Sequence, residues 1–373
     1  MLFVKTNDLK AGMRLARPVY NRHGVLLYER DSKLSVSAIN SIRNFGLLGI
    51  YVLEPAEPVP PMTAEDVEFE RFQTMTAFSI AEELNGILLT GKAEKMQSIA
   101  AVIIKNYAYL DKKINFIQNL RSREDYTQKH SLNVAILCAM LTRAMNIRQE
   151  EQLQTIIAAV VHDIGKLRVN RDVADCDELT DEKRARLTAA EISGYDMIER
   201  TFSEGTAIRR ICAQSQKILE DCIRQNQDTQ AMKMVTGSKI LAVAGTYDSL
   251  TAMQLGKPPV SEIKALKYLM EQSEYYDPQV VRALVKVINI LVPGISVELT
   301  NGSKALVITE NKENFLRPVV LDFKDNKVLD LSVPSVYKKV QIEDIMRTMD
   351  NRHIMDTATL RTYGFKVEEP EYI

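Results

Sequence analysis

The sequence predicts a mainly α-helical protein, in which an all-α bundle lies between a small N-terminal α+β module and a C-terminal β appendage. From about residue 64 to 292, apolar residues recur at the i, i+3, i+4 and i+7 spacing of one helix face. On either side, short alternating runs separated by turn residues indicate strands. Four prolines within residues 54–62 indicate a stiff linker, because proline interrupts helices and central strands.

The composition is that of a globular protein. The 373 residues are 46% hydrophobic, and 48 basic side chains nearly balance 49 acidic ones. The hydrophobic content excludes a disordered chain. The balance of charges provides no excess of basic residues for binding a nucleic-acid polymer. No uncharged apolar stretch is long enough for a membrane span, and the N-terminus has no apolar signal core. The four cysteines form no CxxC pair and indicate reduced thiols, so we expect a cytoplasmic protein without membrane insertion.

Residues 1–53 are predicted to form the α+β module. A helix is expected at Val36–Phe45, with Ser35 as its N-cap, and a closing strand at Leu48–Leu53. The linker at 54–63 follows. The earlier strand candidates of the module are Leu2–Val4, Met13–Val19 and Val25–Tyr28.

Residues 64–294 are predicted to form the helical domain, with roughly six to nine helices. Pro293-Gly294 ends it, and residues 295–373 are predicted to form the β appendage and a peripheral tail. Within the appendage, Asn301-Gly302 lies between two apolar runs, which strongly indicates a hairpin turn.

Two histidines carry the chemical signal of the helical domain. His130 shares a helix face with apolar residues at 134, 137, 138 and 141, so its imidazole is predicted to point into the bundle. His162 and Asp163 follow the apolar run Ile156–Val161. A polar pair at the end of a buried run is costly unless its groups are paired or bind a metal.

These residue types permit a metal site. Imidazole nitrogen and carboxylate oxygen are ligands for Mn, Fe or Zn, so His130, His162 and Asp163 could hold one divalent ion. Such an ion can generate hydroxide near neutral pH and hydrolyse a phosphodiester, with Lys166 neutralising the phosphate. The alternative is a buried polar network in which both rings hydrogen-bond to Asp163 and stabilise the helix junction.

The segments Tyr126-Thr-Gln-Lys-His130 and Val161-His-Asp-Ile-Gly-Lys166 resemble motifs of the HD superfamily of metal-dependent phosphohydrolases. Ile240–Thr251 and Tyr276–Val281 are similar to further motifs of its HD-GYP branch, the bacterial cyclic-di-GMP phosphodiesterases. The order and spacing match over about residues 125–292, which implies an HD-type helical fold. Asp8-Leu-Lys-Ala-Gly-Met13 resembles part of the small module that often precedes this domain.

Departures from the family pattern imply a degenerate site. Further family ligands would fall at Ala190, within Gln214–Lys217 in place of a His-His pair, and at Gly245. The Gly-Tyr-Pro loop is missing, and acidic Asp175–Glu178 stands where the family carries basic residues. A two-metal clamp needs ligands around both ions, so most of it is predicted to be lost. The carboxylates that could replace lost ligands are Glu191, Glu220 and Asp221.

We therefore predict a non-catalytic regulatory or protein-interaction module in bacterial cyclic-di-GMP signalling, with no cofactor or one weakly held Mn, Fe or Zn ion. Two alternatives stay open, namely a metal-dependent phosphohydrolase with an unconventional site and a cyclic-di-GMP receptor. The expected partners are an unidentified protein and, for the receptor, a cyclic dinucleotide. The candidate residues are His130, His162 and Asp163 as residual metal ligands, Lys166 as a catalytic residue, and Arg123 and Arg168 as ligand-binding residues. Other basic residues flanking the motifs that fit phosphate are Arg121, Lys129 and Arg171.

Overall fold

The computed structural model describes most of the chain and confirms the predicted mainly α-helical fold class. Several features of the sequence lie outside the described residues: most of the proline-rich linker, Arg171, the acidic run at 175–178, Glu220, Asp221 and the tail from 347 onward. The described ranges are 2–21, 25–47, 49–53, 62–169, 180–203, 205–218, 233–253 and 259–346.

The N-terminal module contains a three-stranded antiparallel sheet, a separate two-stranded sheet and one helix. Strand β5 (Gly49–Leu53) lies between β1 (Leu2–Lys5) and β2 (Arg14–Leu15), and β3 (Val19–Tyr20) pairs with β4 (Leu26–Tyr28). The single strand predicted at residues 13–19 is thus two short strands, because Pro18 has no N–H for a ladder hydrogen bond.

The predicted helix of the module is confirmed as α1 (Val36–Asn44). Its predicted cap is confirmed as well, since the Ser35 hydroxyl accepts a hydrogen bond from the Ala38 N–H at 3.1 Å. Ile39 and Ile42 of this helix are buried against the sheet in the core of the module.

The helical domain surrounds helix α4 (Tyr126–Ala144). Every residue from Leu132 to Leu141 is buried, as expected of a helix that is packed on all sides. None of the described helices has the length and apolar character needed to cross a bilayer. The other helices are α2 (Ala64–Thr90), α3 (Met96–Ile103), α5 (Gln149–Val161), α6 (Asp181–Thr201), α7 (Gly205–Gln216), α8 (Thr236–Thr251), α9 (Glu262–Glu271) and α10 (Pro278–Val287).

Local sequence explains where these helices start. Thr63 and Asp66 form a capping box at the start of α2, and Asp277 caps α10 with Pro278 at its first position. Helix α5 ends at Val161 and is followed by a 3₁₀ turn at Ile164–Arg168. This change of direction places His162 and Asp163 at a junction inside the domain.

The C-terminal sheet is antiparallel and has the strand order β10-β6-β7-β8-β9. The predicted hairpin is confirmed at β6–β7, where Gly302 has a φ of +78°. The strands are β6 (Ser296–Leu299), β7 (Lys304–Thr309), β8 (Val319–Asp322), β9 (Lys327–Asp330) and β10 (Ile342–Ile345).

The sheet is more closely joined to the bundle than the sequence predicted. Strand β10 lies in the segment predicted as a peripheral tail, yet it pairs with β6, and Asp344 forms an ion pair with Lys264 of α9 at 2.6 Å. Val297 and Val307 of the inner face belong to the same hydrophobic core as the helices. The β segment therefore packs as one layer of the helical domain.

Candidate metal centre

The packing of α4 on α5 brings the three predicted metal ligands together. His130, on the second turn of α4, is 6% exposed, which confirms that its imidazole points into the bundle. Its Nε2 lies 3.3 Å from Nε2 of His162, which in turn lies 3.6 Å from Oδ1 of Asp163. One ligand atom from each of the three residues lies within 4.8 Å of the others. We call these three residues the triad.

The second nitrogen of His130 is held by a buried carboxylate. Asp248 of α8 accepts a hydrogen bond from His130 Nδ1 at 2.6 Å. The same carboxylate accepts two hydrogen bonds from Arg121, at 2.6 and 2.7 Å, and one from Asn133 at 2.9 Å. Burial raises the pKa of Asp248, but Arg121 and His130 outweigh this effect and lower it to about 2. The ionised carboxylate therefore fixes the proton of His130 on Nδ1.

The second nitrogen of His162 is held by the backbone of α5. Nδ1 lies 2.8 Å from the carbonyl oxygen of Ala159, and since a carbonyl only accepts, this nitrogen carries the proton. Burial lowers the pKa of His162 to about 4, so the ring is neutral near pH 7. The Nε2 atom of His162 thus carries an unshared electron pair, and it faces Nε2 of His130 at 3.3 Å.

This arrangement fits a divalent ion. Two ring nitrogens that face each other at 3.3 Å attract each other only if a cation or a proton lies between them. For comparison, two nitrogens that each lie about 2.0–2.1 Å from a zinc ion are about 3.4 Å apart at a tetrahedral angle. A carboxylate that orients a ligating imidazole through its other nitrogen is a recurrent support of metal sites. The observed contacts of His130 and His162 meet both requirements.

A lysine lies on the carboxylate side of the triad. Lys166 Nζ is 2.9 Å from Oδ1 of Asp163 and 3.8 Å from Oε1 of Glu191 on α6. Burial raises the pKa of Asp163, but the neighbouring imidazoles and Lys166 hold it well below its usual value. Glu191 is buried and also accepts hydrogen bonds from Gln216 of α7 at 3.1 and 3.2 Å. Two carboxylates therefore share one ammonium group.

A glycine sets the distance between α6 and this lysine. A Cβ atom on Gly165 would lie 2.2 Å from the carbonyl oxygen of Ala190, so only glycine permits the observed approach. Ala190 was expected at a lost ligand position, and the next residue, Glu191, is one of the carboxylates named as a replacement. At Gly245, another expected ligand position, an added Cβ would meet no atom within 4 Å.

The predicted polar network, in which both imidazole rings hydrogen-bond to Asp163, is wrong. His130 bonds to Asp248 and not to Asp163, and the 3.6 Å between His162 and Asp163 exceeds a hydrogen-bond distance. The reason is that the Ala159 carbonyl holds the ring of His162. Sequence reasoning missed the role of Asp248, although a lone carboxylate within the apolar run Ile240–Thr251 is the same kind of signal that identified Asp163.

The flanking basic residues do not gather at the triad in the described structure. Arg121 is fully buried against Asp248, so the expectation that it faces phosphate is wrong. Lys129 binds Asp125 at 2.7 Å and the carbonyl of Leu120. Arg123 is exposed, and its N–H donates to the carbonyl of Gly46 in the N-terminal module. Arg168 is exposed and lies 3.5 Å from the hydroxyl of Ser193.

Comparison with known proteins identifies the fold of this region. The model of the HD domain family matches residues 111–280. A cyclic di-GMP phosphodiesterase of Pseudomonas aeruginosa is 25% identical over 214 residues, which cover 55% of this chain and 49% of that protein. A 3'3'-cGAMP-specific phosphodiesterase 3 of Vibrio cholerae is 26% identical over 173 residues, or 46% of this chain and 37% of that protein. The matches thus span half or less of these relatives.

Proposed function

We propose that this chain, an HD-superfamily protein through its domain at residues 111–280, is a non-catalytic regulatory module of bacterial cyclic-dinucleotide signalling that holds one divalent metal ion. The observation that carries the proposal is the position of Lys166. Its ammonium group lies between Asp163 and Glu191, where a second cation would need both carboxylates. The triad is therefore built for a single ion. We further propose a cytoplasmic location, a protein as partner of the module and a cyclic dinucleotide as its possible ligand.

The residues that would hold the ion are His130, His162 and Asp163. When bound, such an ion supplies a Lewis acid and lowers the pKa of a bound water molecule. Neighbouring groups orient the two imidazole rings. Asp248 orients the ring of His130, and the carbonyl of Ala159 orients the ring of His162.

The same contacts argue against efficient hydrolysis of a phosphodiester. Lys166 is engaged with two carboxylates, so it is not placed to neutralise a phosphate, as a catalytic lysine would. A two-metal clamp stabilises both the attacking and the leaving oxygen, and one ion cannot do both in the same way. Arg123 and Arg168, the predicted ligand-binding residues, make contacts outside the triad.

A second candidate function is a phosphohydrolase that works with one metal ion. The triad favours it, because three protein ligands would leave part of the coordination sphere of an ion open to water. Both functions use the same triad, so they differ in turnover and not in metal content.

Turnover separates the two candidates. Protein purified anaerobically and supplied with Mn²⁺, Fe²⁺ or Zn²⁺ is incubated with cyclic di-GMP and with 3'3'-cGAMP, and linear products are measured. We expect no product above the level of a His162→Ala/Asp163→Ala control. Metal-dependent turnover that disappears in this control would overturn the non-catalytic proposal and support the phosphohydrolase.

A substitution of Lys166 tests the observation that carries the proposal. In Lys166→Ala, Asp163 and Glu191 lose their shared cation, so we expect the protein to take up a second, weaker equivalent of Mn²⁺. Lys129→Ala is the matched control, because Lys129 forms a similar lysine–aspartate pair outside the triad. Two equivalents bound by the unsubstituted protein would contradict the single-ion assignment.

A further inference from the structure

A cavity of about 620 Å³ lies between the N-terminal module and the helical domain. Its walls come from the β2–β3 segment and the end of α1 on one side, and from α2 and residues 118–129 on the other. We call it the interdomain cavity. None of the triad residues lines it, although Gln128 and Lys129 directly precede His130. The volume is in the range of sites for small organic ligands, which often occur between domains.

Two buried polar atoms in the cavity wall have no hydrogen-bond partner among the described residues. They are Nε of Arg17, a donor, and Oε1 of Gln128, an acceptor. Arg17 is 6% exposed and Gln128 is 8% exposed, so bulk water does not satisfy them freely. An unpaired buried polar group is costly, so both side chains would gain by turning toward a ligand that offers an acceptor to Arg17 and a donor to Gln128.

The remaining lining defines the chemical class of this ligand. Phe45 at the end of α1 and Phe78 on α2 line the cavity from its two sides, and both rings are more than one third exposed. Aromatic rings of this kind stack on flat heterocycles. The charged lining residues carry a small negative excess, which disfavours a phosphate. They are Arg17 and Lys129 against Glu70, Glu124 and Asp125.

The cavity wall is hydrogen-bonded to the metal centre. Asn133 of α4 donates to Asp248 at 2.9 Å, and Asp248 holds the Nδ1 of His130 at 2.6 Å. The same side chain hydrogen-bonds to three amides of the cavity wall at 2.8 to 3.1 Å, donating to one through Nδ2 and accepting from two through Oδ1. These are Gln73, Gln118 and Asn119. A ligand that shifts these amides therefore shifts the partner of a metal ligand.

We propose that the interdomain cavity binds an uncharged flat heterocycle with carbonyl and N–H groups, of the nucleoside class, as an effector of the metal centre. Stacking on Phe45 and Phe78 and the unpartnered atoms of Arg17 and Gln128 recognise it. The effector role rests on the proposed single-metal site, whereas binding in the cavity does not. Because linkage is reciprocal, the ligand and the ion change each other's affinity by the same factor.

Binding is tested first on the chelator-treated 373-residue chain by calorimetric titration with adenosine, guanosine, cytidine and uridine. We expect at least one nucleoside to bind, and more tightly than its 5'-monophosphate. Phe78→Ala should weaken binding by roughly 5- to 150-fold, the range for loss of one stacked ring. Met75→Ala is the matched control, since Met75 is an exposed apolar residue of α2 that does not line the cavity. Gln128→Met, which removes the unpartnered acceptor, should also weaken binding.

Three results would overturn the cavity assignment: no binding of any nucleoside, tighter binding of the 5'-monophosphates, or equal binding by Phe78→Ala and the unsubstituted protein. The effector role is tested next by titrating Mn²⁺ with and without the bound nucleoside, and an unchanged affinity would refute it. Failure of Mn²⁺ to bind at all would refute the effector role together with the proposed function. The nucleoside titration without metal would still decide the cavity assignment.

Discussion

Removal of the Asp248 carboxylate should strongly destabilise this fold. Asp248 and Arg121 are both fully buried, and the carboxylate accepts two hydrogen bonds from the guanidinium group. In Asp248→Ala, the Arg121 charge stays buried without a counter-ion, while His130 and Asn133 each lose an acceptor. Breaking a buried ion pair from one side costs about 3–5 kcal/mol.

Thermal unfolding followed by far-ultraviolet circular dichroism measures this cost. For a domain of this size, the loss corresponds to a fall of roughly 6–20 °C in Tm. Asp248→Asn should fall between the alanine variant and the unsubstituted protein, because it keeps the shape and one acceptor but loses the charge.

The double variant Arg121→Met/Asp248→Leu tests whether the two charges stabilise the fold as a pair. It removes both charges, so we expect its loss of stability to be smaller than the sum of Arg121→Met and Asp248→Leu by at least about 1 kcal/mol. Additive losses, or a loss below about 1 kcal/mol in Asp248→Ala, would refute the assignment of a buried ion pair at the centre of this network.

Three further predictions follow from the geometry. Gly165→Ala should lower Tm, because the new methyl group meets the carbonyl of Ala190 and overpacking costs about 1–3 kcal/mol. Gly86→Ala is the control. It adds a methyl group in open space on a helix and should raise Tm slightly. Asp277 binds Lys239 at 3.0 Å, and its pKa is lowered in the folded protein. The unsubstituted protein should therefore be more stable than Asp277→Asn above about pH 4, and this difference in stability should disappear as the pH falls further. A difference that does not change with pH would contradict this assignment. A chelator should lower the Tm of metal-loaded protein but not that of His162→Ala, and equal shifts in both proteins would place the ion elsewhere.

Much of the fold could be predicted because the local patterns agree with the tertiary structure. The Ser35 cap, the hairpin at Gly302 and the inward direction of His130 each depend on a few neighbouring residues. Strand β10 could not be predicted this way, since it is stabilised by pairing with β6 and by the ion pair of Asp344 with Lys264, both distant in sequence.

The candidate site shows the same limit. The local motif places His162 and Asp163 at the end of α5, but the partner of His130 comes from α8, 118 residues away. The role of Arg121 was missed for the same reason, because a basic residue near a motif looks the same in sequence whether it faces phosphate or is buried. Its pairing with Asp248 is visible only after α8 packs beside α4.

The most direct test of the metal assignment is the metal content of the anaerobically purified 373-residue chain, measured by elemental analysis without chelator. We expect one divalent ion per chain, which is lost in His162→Ala/Asp163→Ala while the fold is retained. No bound ion would contradict the metal assignment, and two ions per chain would contradict the role given to Lys166 between Asp163 and Glu191.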